Sequence, residues 1–162
     1  MRAPTCDSDT HPAARVAAAF ERIARERMAD VPLCNRALAV ESVGFRRWNG
    51  LWVGVLVTPW AMNLMLLPAG HAAFAPLAVG QVRAWDLPSG AYEFMGGDAP
   101  GLGPFHSCAL FSPMNDFATQ GEARETAAAV MDTVLAAPPE VVPPAVDRRA
   151  FLRRALGRPG AA

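Results

Sequence analysis

The chain has 162 residues, 52% of them apolar and 19% charged, which suits one globular domain with a real core and excludes a chain disordered throughout. Fifteen basic residues balance fifteen acidic ones, whereas a dedicated nucleic-acid binder would carry a basic surplus. Three cysteines without a CxxC spacing fit free thiols in a reducing compartment, and the opening MRAPTCDSDTHPAARV lacks the apolar stretch of an export signal, so a cytoplasmic protein is expected.

Residues 1–9 read as a loose N-terminus, and 10–136 as a single domain. Thr10 is a plausible cap for a helix with Pro12 in its first turn. Val16, Phe20, Ile23, Ala24 and Met28 share one face at helical spacing, and the helix should stop near Asp30 because Pro32 follows. Strand signals come next. Leu38, Val40, Val43 and Phe45 border a first strand, Asn49-Gly50 marks a hairpin, and Leu51–Val57 is a nearly continuous apolar strand. No residue from Trp48 to Val82 is charged, and LWVGVLVTPWAMNLMLLP is long enough to span a membrane. Pro59 in its middle, with Thr58 and Asn63, favours two buried strands joined at Thr58-Pro59-Trp60 instead. Gly80–Trp85 and Ala91–Met95 form another hairpin around Leu87-Pro88-Ser89-Gly90. Gly96–Pro104 reads as a loop, and His106–Phe111 as a last strand. Ser112-Pro113 starts a short helical piece. Thr119 with Glu122 forms a capping box that opens a long helix to about Ala136, with Ala123, Ala127, Val130, Met131 and Val134 inside. The fold class is α+β: a mainly antiparallel sheet of five or six strands flanked by an N-terminal and a C-terminal helix. A Pro-rich linker follows at 137–146, and a basic tail at 147–162.

Few residues suit catalysis. His106 and Cys108 would share one strand face, but a tetrahedral metal site needs two more ligands, and no other His or Cys stands at ligand spacing. GGDAPGLGP lacks the GKS/T ending of a phosphate loop. No cofactor, metal or enzymatic role is expected. Instead Trp48, Trp52, Trp60, Met62, Met65, Phe111, Met114 and Phe117 concentrate aromatic and thioether side chains. Strand alternation cannot bury them all, so Trp48, Trp60, Met62, Met65, Met114 and Phe117 are candidates for an adaptable peptide-binding surface. Glu41 and Asp116 are candidate rim acids, with Glu93 and Asp98 as further acids near these strands. The alternative is a small-molecule-binding or redox-accessory α+β domain.

Charge is uneven. Residues 1–146 hold ten Arg and fourteen acids, a balance of −4, while residues 147–162 hold five Arg and one Asp, a balance of +4. Within the tail, DRRAFLR resembles the twin-arginine export motif at Arg148, Arg149, Phe151 and Leu152. It stands at the wrong end of the chain, without an apolar stretch after it, so it cannot direct export. It can imitate such a signal, fold back on the body, or mediate self-association.

The strings VGFRRWNGLWVGVLVTPWAMNLMLLP (Val43–Pro68) and GLGPFHSCALFSPM (Gly101–Met114) resemble the HybE/HupJ family of nickel-iron hydrogenase assembly chaperones. The resemblance covers about residues 12–136. It implies an accessory protein in the maturation of an uptake hydrogenase. The implied partner is the hydrogenase small-subunit precursor, which carries a twin-arginine signal, and for some members the large subunit. It implies neither nucleic-acid binding nor membrane insertion. An apolar groove would then take the Phe-Leu part of the signal, and rim acids its two arginines, until assembly is complete.

Overall fold

A computed structural model describes residues 10–69 and 74–137. The expectations for residues 1–9, for the linker beyond Ala137 and for the tail lie outside the described residues.

Helix α1 (Ala13–Glu26) begins where the Val16 amide donates to the Pro12 carbonyl at 2.9 Å. Pro12 is its N-cap and no side chain caps it, so Thr10 does not have the role expected of it. The helix also ends four residues short of Asp30. Residues 28–35 turn instead, through bonds from the Val31 amide to Met28 and from the Cys34 amide to Val31. Val16, Ala19 and Phe20 form its buried stripe.

Six strands follow: β1 (Glu41–Trp48), β2 (Leu51–Val57), β3 (Met62–Pro68), β4 (Val82–Leu87), β5 (Gly90–Ala99) and β6 (Gly103–Phe111). They form one sheet in the order β1-β2-β3-β6-β5-β4, with every neighbouring pair antiparallel. Two three-stranded meanders thus meet at β3 and β6. Asn49 (φ 47°) and Gly50 (φ 73°) both take the left-handed conformation that a two-residue hairpin turn requires. All seven residues of β2 are buried, because both faces of this strand are covered.

The loop expected over Gly96–Pro104 is instead mostly strand. Gly96 pairs with His106 and Gly97 with Phe105, and the hairpin turns only around Pro100–Leu102. Glycine is required here by close approach rather than by a turn. A Cβ on Gly96 would lie 2.6 Å from the Ala78 carbonyl oxygen, because residues 74–79 cross β5 at that point. A Cβ on Gly97 would meet the Phe105 ring at 2.6 Å. The 112–118 segment is turn rather than helix.

Helix α2 (Gln120–Val134) has the expected cap: the Thr119 hydroxyl accepts from the Glu122 amide at 3.2 Å. The Glu122 carboxylate reaches back to the Ala118 amide at 2.9 Å, one residue before the usual position. Ala123, Ala127, Val130, Met131 and Val134 are fully buried, and each of the larger three contributes on the order of 1.5–3 kcal/mol by leaving water.

The helices take opposite faces of the sheet. Phe45, Trp52, Leu56, Met65, Leu67 and Phe105 face α1, while Val53, Val55, Leu64, Leu66, Phe94 and Cys108 belong to the core on the α2 side. At the last turn of α2, Asp132 pairs with Arg46 of β1 at 3.4 Å, and the Val134 carbonyl accepts from the Ser89 amide in the β4–β5 turn at 3.2 Å. Opposite edges of the sheet therefore both reach this turn, so the sheet curls around α2.

Candidate functional site

The aromatic and methionine groove expected from the sequence is not open. Met62, Met65 and Met114 have no exposed surface, and Phe117 is 8% exposed. Met62 and Met65 also point to opposite faces of β3, the first into the α2 core and the second into the α1 core. They are three positions apart, an odd step along a strand, so alternation divides them. Trp48 and Trp60 are half-buried, but they stand at opposite ends of β2 and pack on opposite faces of the sheet. No single trough joins the six. Trp52 is buried as well.

The loops around Trp60 form a tight knot. The Asn35 side-chain amide donates to the carbonyls of Met114 (3.0 Å) and Phe117 (2.7 Å), and its own backbone amide donates to Pro59 (2.8 Å). Thr58 closes the β2–β3 turn through its hydroxyl, which accepts from the Ala61 amide at 2.9 Å. Of the two rim acids, Glu41 is engaged: Arg124 donates to it at 2.6 Å and Gln120 at 2.8 Å. The Arg124 guanidinium holds the Glu41 carboxyl below its ordinary pKa, against the opposing effect of partial burial. Asp116 is exposed in the 112–118 segment.

His106 and Cys108 do share a face of β6, as the strand spacing predicts. His106 is fully buried and both its ring nitrogens are in use. Nδ1 accepts from the Trp85 indole at 3.0 Å, which leaves Nε2 to donate to the Ala75 carbonyl at 3.1 Å. Phe74 lies against the ring at 4.4 Å between centroids. Burial holds the imidazole below its ordinary pKa, opposed by the Ala75 bond and aided by Arg83. The residue therefore latches the 74–79 segment onto the sheet. Among the described residues no three His, Cys, Asp or Glu side chains gather as metal ligands.

The open surface lies elsewhere. In the β4–β5 ladder Asp86 faces Ala91, Ala84 faces Glu93, and Val82 faces Met95. Tyr92 and Phe94 point into the α2 core, so these six residues must point the other way, and all six are exposed. Met95 pairs with Ser107, which pairs with Met65 on the α1 side, so this is the same side of the sheet that α1 covers further along. A helix about 10 Å wide covers only two or three strands spaced about 4.8 Å apart, and α1 lies over the other half. Val82 (51% exposed) and Met95 (49%) make one apolar step on this face, and Asp86 and Glu93 bring two carboxylates nearer the hairpin turn. Glu93 is among the acids expected from the sequence, whereas Val82, Asp86 and Met95 are not among the expected site residues. Their signal was the alternation of Val82, Ala84, Asp86 against Arg83, Trp85, Leu87.

A family model described as NiFe-hydrogenase assembly, chaperone, HybE matches residues 11–154. The chain belongs to this HybE family. It is 40% identical over 149 residues to protein HoxT of Cupriavidus necator, covering 83% of each chain. It is 39% identical over 151 residues to hydrogenase expression/formation protein HupJ of Bradyrhizobium diazoefficiens, covering 87% of this chain and 86% of the relative. The solution structure of HybE from Escherichia coli superposes with a TM-score of 0.66 at 27% identity, over 86% of this chain and 88% of that one. The two-helix, six-stranded α+β architecture of the described residues is thus the HybE fold, and the family places the chain among hydrogenase assembly chaperones. No helix among the described residues is long and apolar enough to cross a membrane.

Proposed function

We propose that this HybE-family protein works in the cytoplasm as a binding chaperone, not a catalyst. It holds the precursor of a nickel-iron hydrogenase small subunit through the twin-arginine signal until assembly is complete. The observation that supports this reading is the uncovered β4–β5 face. Its carboxylates suit two adjacent arginines, and its apolar step suits the Phe-Leu pair that follows them in such a signal.

The magnitudes describe a light grip. Covering the exposed half of Val82 and of Met95 is worth about 1 kcal/mol each. Each exposed Arg–carboxylate pair adds about 0.2–1 kcal/mol, rising toward 1.5–3 kcal/mol as the complex shields it. The face alone therefore supplies roughly 2–4 kcal/mol, a dissociation constant near or above 1 mM. The folded part of the subunit supplies the remaining contacts. Weak capture of the signal suits a chaperone that must release its client.

The test is binding of the full-length protein to the small-subunit precursor with its signal intact or deleted. Loss of the signal is expected to weaken binding by ten-fold or more. Equal affinity for the two forms would rule out recognition of the signal.

A further inference from the structure

The uncovered face also has a candidate occupant within this chain. Helix α2 ends with the Val134 carbonyl bonded to Ser89, so the chain leaves the described domain beside the turn of the β4–β5 hairpin. From that turn outward the face presents Asp86 with Ala91, then Ala84 with Glu93, then Val82 with Met95. The acids come first and the apolar pair last. The sequence beyond Ala137 offers groups in the same order: Arg148 and Arg149 first, then Phe151 and Leu152. The ten residues 138–147 can span at most about 33–36 Å. The six residue steps from Ser89 to Met95 cover only about 20 Å, so the reach is sufficient. Charge agrees as well, with +4 on residues 147–162 against −4 on residues 1–146.

We propose that residues 148–152 of the protein's own C-terminal segment dock on the β4–β5 face, with Arg148 and Arg149 at Asp86 and Glu93 and with Phe151 over Val82 and Met95. Where the face also serves the precursor signal, as the functional reading above holds, the segment is a built-in competitor. A tethered ligand acts at an effective concentration of order 1 mM, comparable with the weak affinity of the face, so it lowers the apparent affinity for a free signal peptide by about two-fold. The precursor, whose folded part adds contacts beyond the signal, displaces it.

The test uses the full chain with the photoreactive amino acid p-benzoylphenylalanine in place of Phe151, irradiated at low concentration and mapped by mass spectrometry. Intramolecular adducts on Met95 or Val82 are expected. Adducts scattered elsewhere, or found only in cross-linked dimers, would overturn the proposal. Introducing Arg148→Glu with Arg149→Glu into the same chain should cut the adduct yield several-fold, and an unchanged yield would overturn the charge pairing. Separately, an Arg-Arg-x-Phe-Leu peptide titrated by NMR should bind the otherwise unmodified double-Glu variant about two-fold more tightly than the wild type. Unchanged peptide affinity would overturn competition. If neither protein binds the peptide while the Met95 adduct persists, tail docking stands and signal recognition by this face fails.

Discussion

Asn35 is the residue on which the knot around the β2–β3 turn depends. Its side chain donates to two carbonyls, Met114 and Phe117, and its Oδ1 accepts from the Ala37 amide at 3.0 Å. Asn35→Ala deletes all three bonds. At about 0.5–1.5 kcal/mol each, with the more exposed Ala37 contact at the low end, the expected loss is about 2–3 kcal/mol. Asn35→Asp keeps the shape and the Ala37 bond but turns an acceptor toward both carbonyls. It should therefore be worse than Asn35→Ala at neutral pH, although it is the smaller change in volume. At acidic pH the carboxyl gains a proton, becomes a single donor and recovers part of the deficit. Urea unfolding of wild type and both variants at neutral and acidic pH measures this directly. If Asn35→Asp proved as stable as wild type, or more stable than Asn35→Ala at neutral pH, the side-chain amide would not be joining these loops.

Two further predictions concern the 74–79 segment. Burial keeps the folded-state pKa of His106 below the value near 6.5 that the unfolded chain shows, so the unfolded chain takes up its proton first. The stability this neutral imidazole contributes is complete above about pH 6.5 and falls as the pH drops below it; protonated Nδ1 can no longer accept from Trp85. The urea midpoint should decline between pH 7.5 and 5.5, and His106→Gln, which cannot titrate, should flatten that decline; an equal decline in the variant would place its cause elsewhere. Gly96→Ala puts a methyl group 2.5–2.7 Å from Leu77 and the carbonyls of residues 77 and 78, so the segment must lift, at a cost of about 1–3 kcal/mol. Faster amide exchange confined to residues 74–81 and 96 is the expected signature, and unchanged exchange would mean that the segment does not press on β5 at that point.

Much of the scaffold was legible because local chemistry and tertiary packing agree. Thr119 with Glu122 states a helix start, the inner stripe of α2 repeats at helical spacing, and Asn49-Gly50 dictates its own turn. The site was harder to read because it depends on what covers each face. Met62, Met65 and Met114 look like an adaptable surface in the sequence, yet two helices on opposite sides bury both faces of β3 and the loop beside it. Conversely, Val82 and Met95 look like ordinary strand apolars, and only the limited width of α1 leaves them open. Gly96 and Gly97 read as loop residues, because a sequence does not reveal that another segment crosses the strand there.

The central claim is that the β4–β5 face holds the precursor, and its most direct test is affinity for the small-subunit precursor across surface variants of the full chain. These are best compared in the Arg148→Glu, Arg149→Glu background, which keeps the C-terminal segment off the face. Val82→Ser with Met95→Ser should weaken binding by roughly ten-fold or more, at about 1 kcal/mol for each side chain. Asp86→Asn with Glu93→Gln should weaken it by several-fold, more at low salt than at high salt. Leu33→Ser, which alters an apolar residue 62% exposed in the loop after α1, should leave it unchanged. Affinity indifferent to all four face substitutions, or lost equally with Leu33→Ser, would contradict the account.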